Sequence, residues 1–434
     1  MKDIATLLYH FFNAKRLEKK FKTKEELQIW QQRRIDSLIK KTLSNSPFYQ
    51  KYLHLPFSEF PIINKKIMME NFTHINTAKI TKEEALKTAF AAEESRDFSP
   101  MIGNISVGLS SGTSGNRGIF MANNSERLKW AGIMLAKALP NGIFSSYKVA
   151  FFLRANNRLY TSVRKSRNID FNFFDLTKPF LQHLDSLQKY QPNLLIAPAT
   201  VLLQLARAQE QGKINISPIK IFSAAEVLDA FDREYIERIF QQRLNEIYQC
   251  TEGFLAITDK SHRLRLNEEY LYIEKEWIDK KSGRFVPIIT DFSRTTQPIV
   301  RYRLDDVLIE DFYDEPFTYL KEIEGRCDDI CFLESKKDHQ SIPIFSEILR
   351  NAFATTKSDF REYKIIQHSA GKFEIMLEPN SDMILQKNIS ESFARMCERQ
   401  FCKVPKLQFT KYQFLPLNQK LKRIENRCKI SENL

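Results

Sequence analysis

A chain of 434 residues exceeds one ordinary domain of about 100 to 200 residues, so two or three folded units are expected. A composition of 43% hydrophobic and 27% charged residues, with 34 Phe against 12 Gly, excludes a disordered or fibrous chain. The formal charge of +13 would suit an anionic partner. Its Lys and Arg are nevertheless interleaved with Asp and Glu and form no basic tail, and no nucleic-acid module is present, so no nucleic-acid partner is expected.

In chain order, residues 4–12 are apolar but too few to span a membrane, and no small-residue cleavage site follows them. No transmembrane segment and a cytoplasmic location are therefore expected. The apolar stripe is read as a helix face that packs on the protein's own body, with docking on a membrane surface as the alternative. Residues 24–43 carry Leu27, Trp30, Ile35, Leu38 and Ile39 at helical spacing and end in the polar turn Ser44, Asn45, Ser46, Pro47. Residues 60–65 read as an extended connector. Short apolar runs at 147–153, 193–197, 219–223 and 246–249 alternate with helical stretches, which predicts a mixed α/β architecture with a largely parallel sheet. The amphipathic pattern over 224–244 predicts a helix between two of these strands, and residues 264–309 read as β. After Gly325 the pattern becomes that of a small α+β unit. Strands are expected near 330–333, 363–368 and 373–377, with helices near 345–353 and 388–400. The fold class is thus α/β, with a large N-terminal domain (1–325) of mixed sheets with a β substructure and a small mobile α+β lid domain (326–434).

Chemistry concentrates in a few motifs. An apolar strand runs into Ser110, Ser111, Gly112, Thr113, Ser114 and Gly115, where small residues let backbone N–H groups converge and hydroxyls add donors, as a pyrophosphate requires. No GxxxxGK[ST] is present, so a P-loop ATPase is not expected. Further on, Tyr248, Gln249, Cys250, Thr251, Glu252 and Gly253 follow a predicted strand, and a Thr and Glu there suit a phosphate and a hard Mg²⁺ ion. Then come Arg301, Tyr302, Arg303, Leu304, Asp305 and Asp306, followed by Gly325, Arg326, Cys327, Asp328 and Asp329. Carboxylates suit ribose hydroxyls and arginine suits phosphate. Phe151, Phe152 and Phe171 to Phe174 are either walls of a pocket for an aromatic acid or plain core. The six cysteines form no CxxC and no zinc-like set with His, so reduced thiols are expected.

The order of these motifs, SSGTSG, then YxxTEG, then YRxxD, then GRxDD, resembles the adenylate-forming superfamily of acyl coenzyme A synthetases, peptide-synthetase adenylation domains and luciferases. Ser46, Pro47, Phe48 and Tyr49, the connector ending at Lys65, and Ala224, Ala225 and Glu226 are similar to its phenylacetate coenzyme A ligase and capsule-biosynthesis branch. The resemblance covers nearly the whole chain. It implies an ATP- and Mg²⁺-dependent ligase that converts a carboxylic acid, aryl or fatty, to an acyl-adenylate. The acceptor it implies is coenzyme A or the phosphopantetheine thiol of an acyl carrier protein. Adenylylation of a cofactor without a thiol, and a non-catalytic nucleotide-binding scaffold, stay open as alternatives, and a homodimer is a candidate state.

By the same resemblance, Ser110 to Gly115 would hold ATP phosphates, Tyr248 would lie against adenine, and Ala224, Ala225 and Glu226 would border it. Thr251 would touch the α-phosphate, Glu252 would ligate Mg²⁺, Asp306 would hold the ribose with Arg326 assisting, and Asp328 would be the hinge. The superfamily's catalytic lysine falls on Lys420, with Lys422 as rival. The chain departs from the pattern at the end of the phosphate loop, where Gly118 replaces a cation and Arg117 comes one residue early. Some relatives bind zinc between the second and third motifs; here residues 254–273 hold His262 and no Cys, so no zinc is expected.

Overall fold

The computed structural model describes residues 2–95, 97, 100–110, 117–154, 168–354, 356, 360–380, 382–416 and 419–428. They form two compact units: residues 1–228, 232–304 and 309–322 in the first, and 229–231, 305–308 and 323–434 in the second.

The first unit opens with helices α1 (Lys2–Glu18), α2 (Lys24–Lys41), α3 (Pro47–Gln50), α4 (Lys65–Glu70), α5 (Phe72–Ile75) and α6 (Lys82–Ser95). Thr23 starts α2 by accepting a hydrogen bond from the Glu26 N–H, which satisfies an otherwise orphaned donor. Helix α1 buries Leu7, Phe11, Ala14 and Leu17 on one face. It lies against α7 (Asn124–Ala138) at Gly132, where an added Cβ would sit 2.7 Å from the Leu7 carbonyl oxygen and 2.8 Å from the His10 Cβ. Only glycine allows that backbone approach.

A small antiparallel sheet, β1 (Met101–Ile102), β2 (Ile105–Leu109) and β3 (Ile119–Asn123), precedes α7. The main sheet then begins with β4 (Tyr147–Leu153), β5 (Ile169–Asp175), β6 (Leu194–Ala197), β7 (Lys220–Ala224) and β8 (Leu244–Gln249), parallel throughout in the order β5-β4-β6-β7-β8. Helices Phe180–Tyr190, Ala199–Glu210 and Ala230–Phe240 make the crossovers. Further strands extend the sheet beyond β8: β9 (Phe254–Thr258), β10 (Leu264–Leu266), β11 (Leu271–Asp279), β12 (Arg284–Asp291), β13 (Tyr302–Arg303), β14 (Asp306–Asp311) and β15 (Tyr319–Arg326), with β8/β9, β9/β10, β10/β15, β11/β12 and β12/β13 paired antiparallel. These are the mixed sheet and the β region that the sequence predicts. The crossover helix predicted over 224–244 is shorter, because Ala225 takes a left-handed φ of 67° and Asp229 Oδ1 accepts from the Phe231 N–H, so the chain turns before the helix begins.

The first unit also buries a charged triad. Lys137 Nζ lies 2.6 Å and Arg265 Nη2 2.9 Å from Glu269 Oε1, all with side chains at most 6% exposed. Burial draws the Lys137 ammonium down to about 8.

In the second unit, a hairpin of β16 (Cys331–Glu334) and β17 (Ser341–Ile344) accompanies a four-stranded sheet in the order β20 (Lys406–Lys411), β19 (Lys372–Glu378), β18 (Glu362–Ser369), β21 (Ile424–Asn426). Helices Ser346–Ala354 and Met383–Arg399 pack on it through Leu349, Phe353, Ile389 and Phe393, all fully buried. Among the described residues no helix is long and apolar enough to cross a membrane.

Candidate active site

In an open, mostly parallel sheet the carboxyl ends of the strands border the binding crevice, because the loops that leave them diverge there. Those ends here are Leu153–Arg154, Ala224–Glu226 and the turn that follows β8. The Cys250 N–H donates to the Gly253 carbonyl at 3.1 Å, folding this turn so that Thr251 and Glu252 are half-buried side by side, with the Thr251 hydroxyl donating to Glu252 Oε2 at 2.8 Å. Both line a shallow cleft together with Lys65, Met68, Met69, Gly118, Ile119, Gln297, Ile299 and Tyr302. The oxygen donors Thr251 and Glu252 suit a hard cation, and Lys65 contributes positive charge on the same wall.

Residues 111–116, with Ser111, Gly112, Thr113, Ser114 and Gly115, lie outside the described residues. The neck of that loop is described. Ser110 and Gly118 exchange hydrogen bonds, Ser110 N–H to the Gly118 carbonyl and Gly118 N–H to Ser110 Oγ, each 2.8 Å. Arg117, the early cation, forms a bidentate pair with Glu93 and donates to the Ser110 carbonyl, so it braces the neck. At Gly118 an added Cβ would meet Lys65 Cε at 3.5 Å and Ser110 Oγ at 3.6 Å, in ordinary van der Waals contact. The Lys65 side chain therefore runs beside the Gly118 end of the loop's neck.

A framework that the motifs did not reveal holds these parts. Arg294 donates to the Thr251 carbonyl at 3.0 Å and to the Met121 carbonyl at 3.1 Å, tying the Thr251–Glu252 turn to β3. The Gln297 amide accepts from the Met121 N–H at 2.8 Å and donates to the Ile119 carbonyl at 3.0 Å, pairing with the outer edge of β3 as another strand would. Buried Glu126 caps α7 reciprocally with Asn123 and also accepts from the N–H groups of Thr295 and Thr296 and the Thr296 hydroxyl. The sequence offered no signal for Arg294 or Gln297 beyond a polar stretch between strands.

Other expected residues lie at the strand ends or in the core. Glu226 accepts from the Thr200 N–H and hydroxyl and pairs with Arg154 at 3.2 Å, joining the end of β7 to a crossover helix and to β4. Ala224 is half-buried and Ala225 exposed at the strand end. Tyr248 is 8% exposed, which leaves little of its ring open to stack on a base. Phe152 and Phe174 stack at 4.5 Å with His183 edge-on to both, and both rings are buried, so this pair is core and not pocket wall. Alternation along β4 and β5 sends Phe151, Phe171 and Phe173 to the other core face.

The second unit holds its own charged cluster. Arg326 Nε donates to Asp328 Oδ1 at 3.0 Å and Nη2 to Asp305 Oδ2 at 3.2 Å. Burial weakens the charge of Arg326, but Asp328, Asp306 and Asp305 outweigh it and hold the guanidinium above its ordinary value. Lys422 Nζ sits 2.8 Å from Asp329 Oδ1 and 3.6 Å from Asp328 Oδ2. Burial raises the Asp329 carboxyl above its ordinary value and Lys422 pulls it back only in part. Gly325, just before Arg326, has φ 147°, a conformation that side chains rarely adopt. Lys420 is half-exposed, two residues before the committed Lys422.

No family model matches the chain. It is 29% identical over 209 residues to Protein CapK of Staphylococcus aureus, covering 46% of this chain and 45% of that protein. It is 24% identical over 234 residues to indoleacetate–lysine synthetase of Pseudomonas savastanoi, covering 51% of this chain and 57% of that protein. The chain spans about half the length of the curated relatives it matches. Among solved structures, 2-hydroxyisobutyryl-CoA ligase in its postadenylation state superposes with a TM-score of 0.66 over 92% of this chain and 89% of that one, at 15% identity. At 15% identity this likeness to a solved structure is one of fold. The mixed α/β fold, with its large sheet-bearing part and small α/β part, resembles that of this ligase.

Proposed function

We propose that this protein uses ATP and Mg²⁺ to activate a carboxylic acid as its acyl-adenylate and then transfers the acyl group to the thiol of coenzyme A. The observation that carries the reading is the convergence of the Thr251–Glu252 turn, Lys65 and the Gly118 end of the Ser/Gly loop on one cleft. The superfamily fold supports it.

In the first half-reaction a carboxylate oxygen attacks the α-phosphorus, the bond to the β-phosphate oxygen breaks, and pyrophosphate leaves. Two anions must meet, so positioning and charge neutralisation are the main tasks. Glu252, with the Thr251 hydroxyl beside it, offers the hard oxygen donors that Mg²⁺ takes, and the ion when bound screens the phosphates. Lys65 and the loop that ends at Gly118 hold the phosphate tail, and Thr251 faces the α-phosphate. In the second unit Asp306 holds the ribose with Arg326, Asp328 is the hinge, and Lys420 neutralises the incoming carboxylate against the α-phosphate. In the second half-reaction the thiol sulfur attacks the acyl carbon and AMP leaves.

A second acceptor is favoured by one observation, the match to indoleacetate–lysine synthetase, whose name describes an amine acceptor. Pyrophosphate release is measured on a panel of aryl and fatty acids, with coenzyme A, with lysine, or with neither, for the wild type and Lys420→Ala. Acid-dependent release that falls by about 10² to 10³ in the variant is expected. Acyl-coenzyme A as product supports the thiol reading, and an amide product replaces it. ATP binding without acid-dependent release across the panel would overturn the enzyme reading in favour of a nucleotide-binding scaffold.

A further inference from the structure

The inner face of α1 is core, yet its outer face carries a second pattern. Lys2, Ala5, Tyr9, Phe12 and Arg16, with Lys19 in the turn just past the helix end, recur at alternating spacings of three and four, and all six are exposed. Tyr9 is 65% and Phe12 51% exposed. Phe144, 76% exposed in the loop after α7, brings its ring to 6.4 Å from that of Phe12 and widens the apolar centre of the stripe. The helix's two carboxylates are drawn away from it: Asp3 accepts from the Asn124 amide on α7 at 3.1 Å, and Glu18 pairs with Lys15 at 3.8 Å. The outer stripe is therefore apolar at its middle and purely cationic at its ends.

That charge arrangement selects the occupant. A second copy of the same stripe would set cations against cations in either orientation: parallel pairing opposes each with itself, and antiparallel pairing opposes Lys2 with Lys19. An anionic lipid surface satisfies both features at once, taking the aromatic rings into the headgroup boundary while its phosphates face the lysines and the arginine. We infer that the outer face of α1, with Phe144, docks the protein on anionic membrane surfaces. The rigid backing of α1 at Gly132 means that this face is presented already formed and needs no folding on contact.

The full chain is cosedimented with vesicles of phosphatidylcholine alone and of phosphatidylcholine with phosphatidylglycerol. Binding to the anionic vesicles only, weakening at high salt, is expected. Tyr9→Ser/Phe12→Ser should reduce partitioning by about tenfold or more. Arg16→Gln/Lys19→Gln should reduce it by about fivefold for each cation removed. Because these side chains are exposed, both variants should keep the wild-type circular dichroism spectrum and thermal midpoint. Absence of binding to anionic vesicles, equal binding to neutral ones, or unchanged binding by both variants would overturn the inference. So would a wild-type dimer in sedimentation velocity that Tyr9→Ser/Phe12→Ser dissolves while vesicles stay unbound, since the face would then belong to a second copy.

Discussion

The cleft of the first unit and the charged cluster of the second are built from opposite materials. Around the cleft, carbonyls and amide N–H groups are gripped by buried or half-buried side chains: Arg294 on Thr251 and Met121, Gln297 on Met121 and Ile119 along one edge of β3, Glu126 on Thr295 and Thr296. In the second unit, Arg326, Asp305 and Asp328 pair side chain to side chain with 41% to 52% of each exposed. Buried hydrogen bonds to backbone are expensive to break, whereas exposed ion pairs exchange readily for water or for another anion. Under the proposed cycle this difference suits a fixed phosphate platform and a set of charges that can change partners.

The contrast can be broken most forcefully at Glu126. Glu126→Ala strands several buried donors and should cost about 3 to 5 kcal/mol in urea unfolding, at about 1 to 3 kcal/mol for each unsatisfied group after partial rehydration. A loss below about 1 kcal/mol would show that the clamp is dispensable. Arg294→Met tests the framework by kinetics: kcat/KM for MgATP should fall by about 10- to 100-fold, carried by kcat as well as KM, because the Thr251 carbonyl loses its anchor. A lowered thermal midpoint with unchanged kinetic constants would make Arg294 merely structural. The smallest effect is expected in the second unit. Lys422→Met should destabilise by about 1 to 2 kcal/mol near neutral pH. Asp329 already has its carboxyl raised by burial, and losing Lys422 raises it further, so the ionised form is penalised more in the variant. The penalty is present above that raised value and fades as pH falls and Asp329 protonates in the folded state. The difference between variant and wild type should therefore shrink on acidification, and a pH-independent difference would show that packing, not pairing, was lost.

Much of the fold was legible because it is periodic. Strands β4, β6, β7 and β8 are short apolar runs bounded by helical patterns, and the sequence placed them within about two residues. Strands β20 and β21 escaped, since KLQFTK and IEN are polar or very short and earn their place only by pairing beside β19 and β18. Of the candidate site, Thr251 and Glu252 were legible because their chemistry lies in local order along the chain. Lys65, Arg294 and Gln297 were not, because what brings them to the cleft is tertiary: Lys65 opens a helix far upstream, and Gln297 acts through a strand edge that no local pattern reveals. Phe152, for which the sequence left pocket wall and core both open, is core, since an aromatic cluster does not say which face a ring will bury.

The glycine at position 132 has a consequence for how the chain could be shortened. With the backbone of α1 resting on that of α7, the first helix is a wall of the core and not an appendage. Removing it would uncover Leu128, Ala131 and Leu135 along a helix whose first turn is clamped to the loop bearing Arg294 and Gln297. A cut at the start of the sequence would thus be read as damage at the cleft.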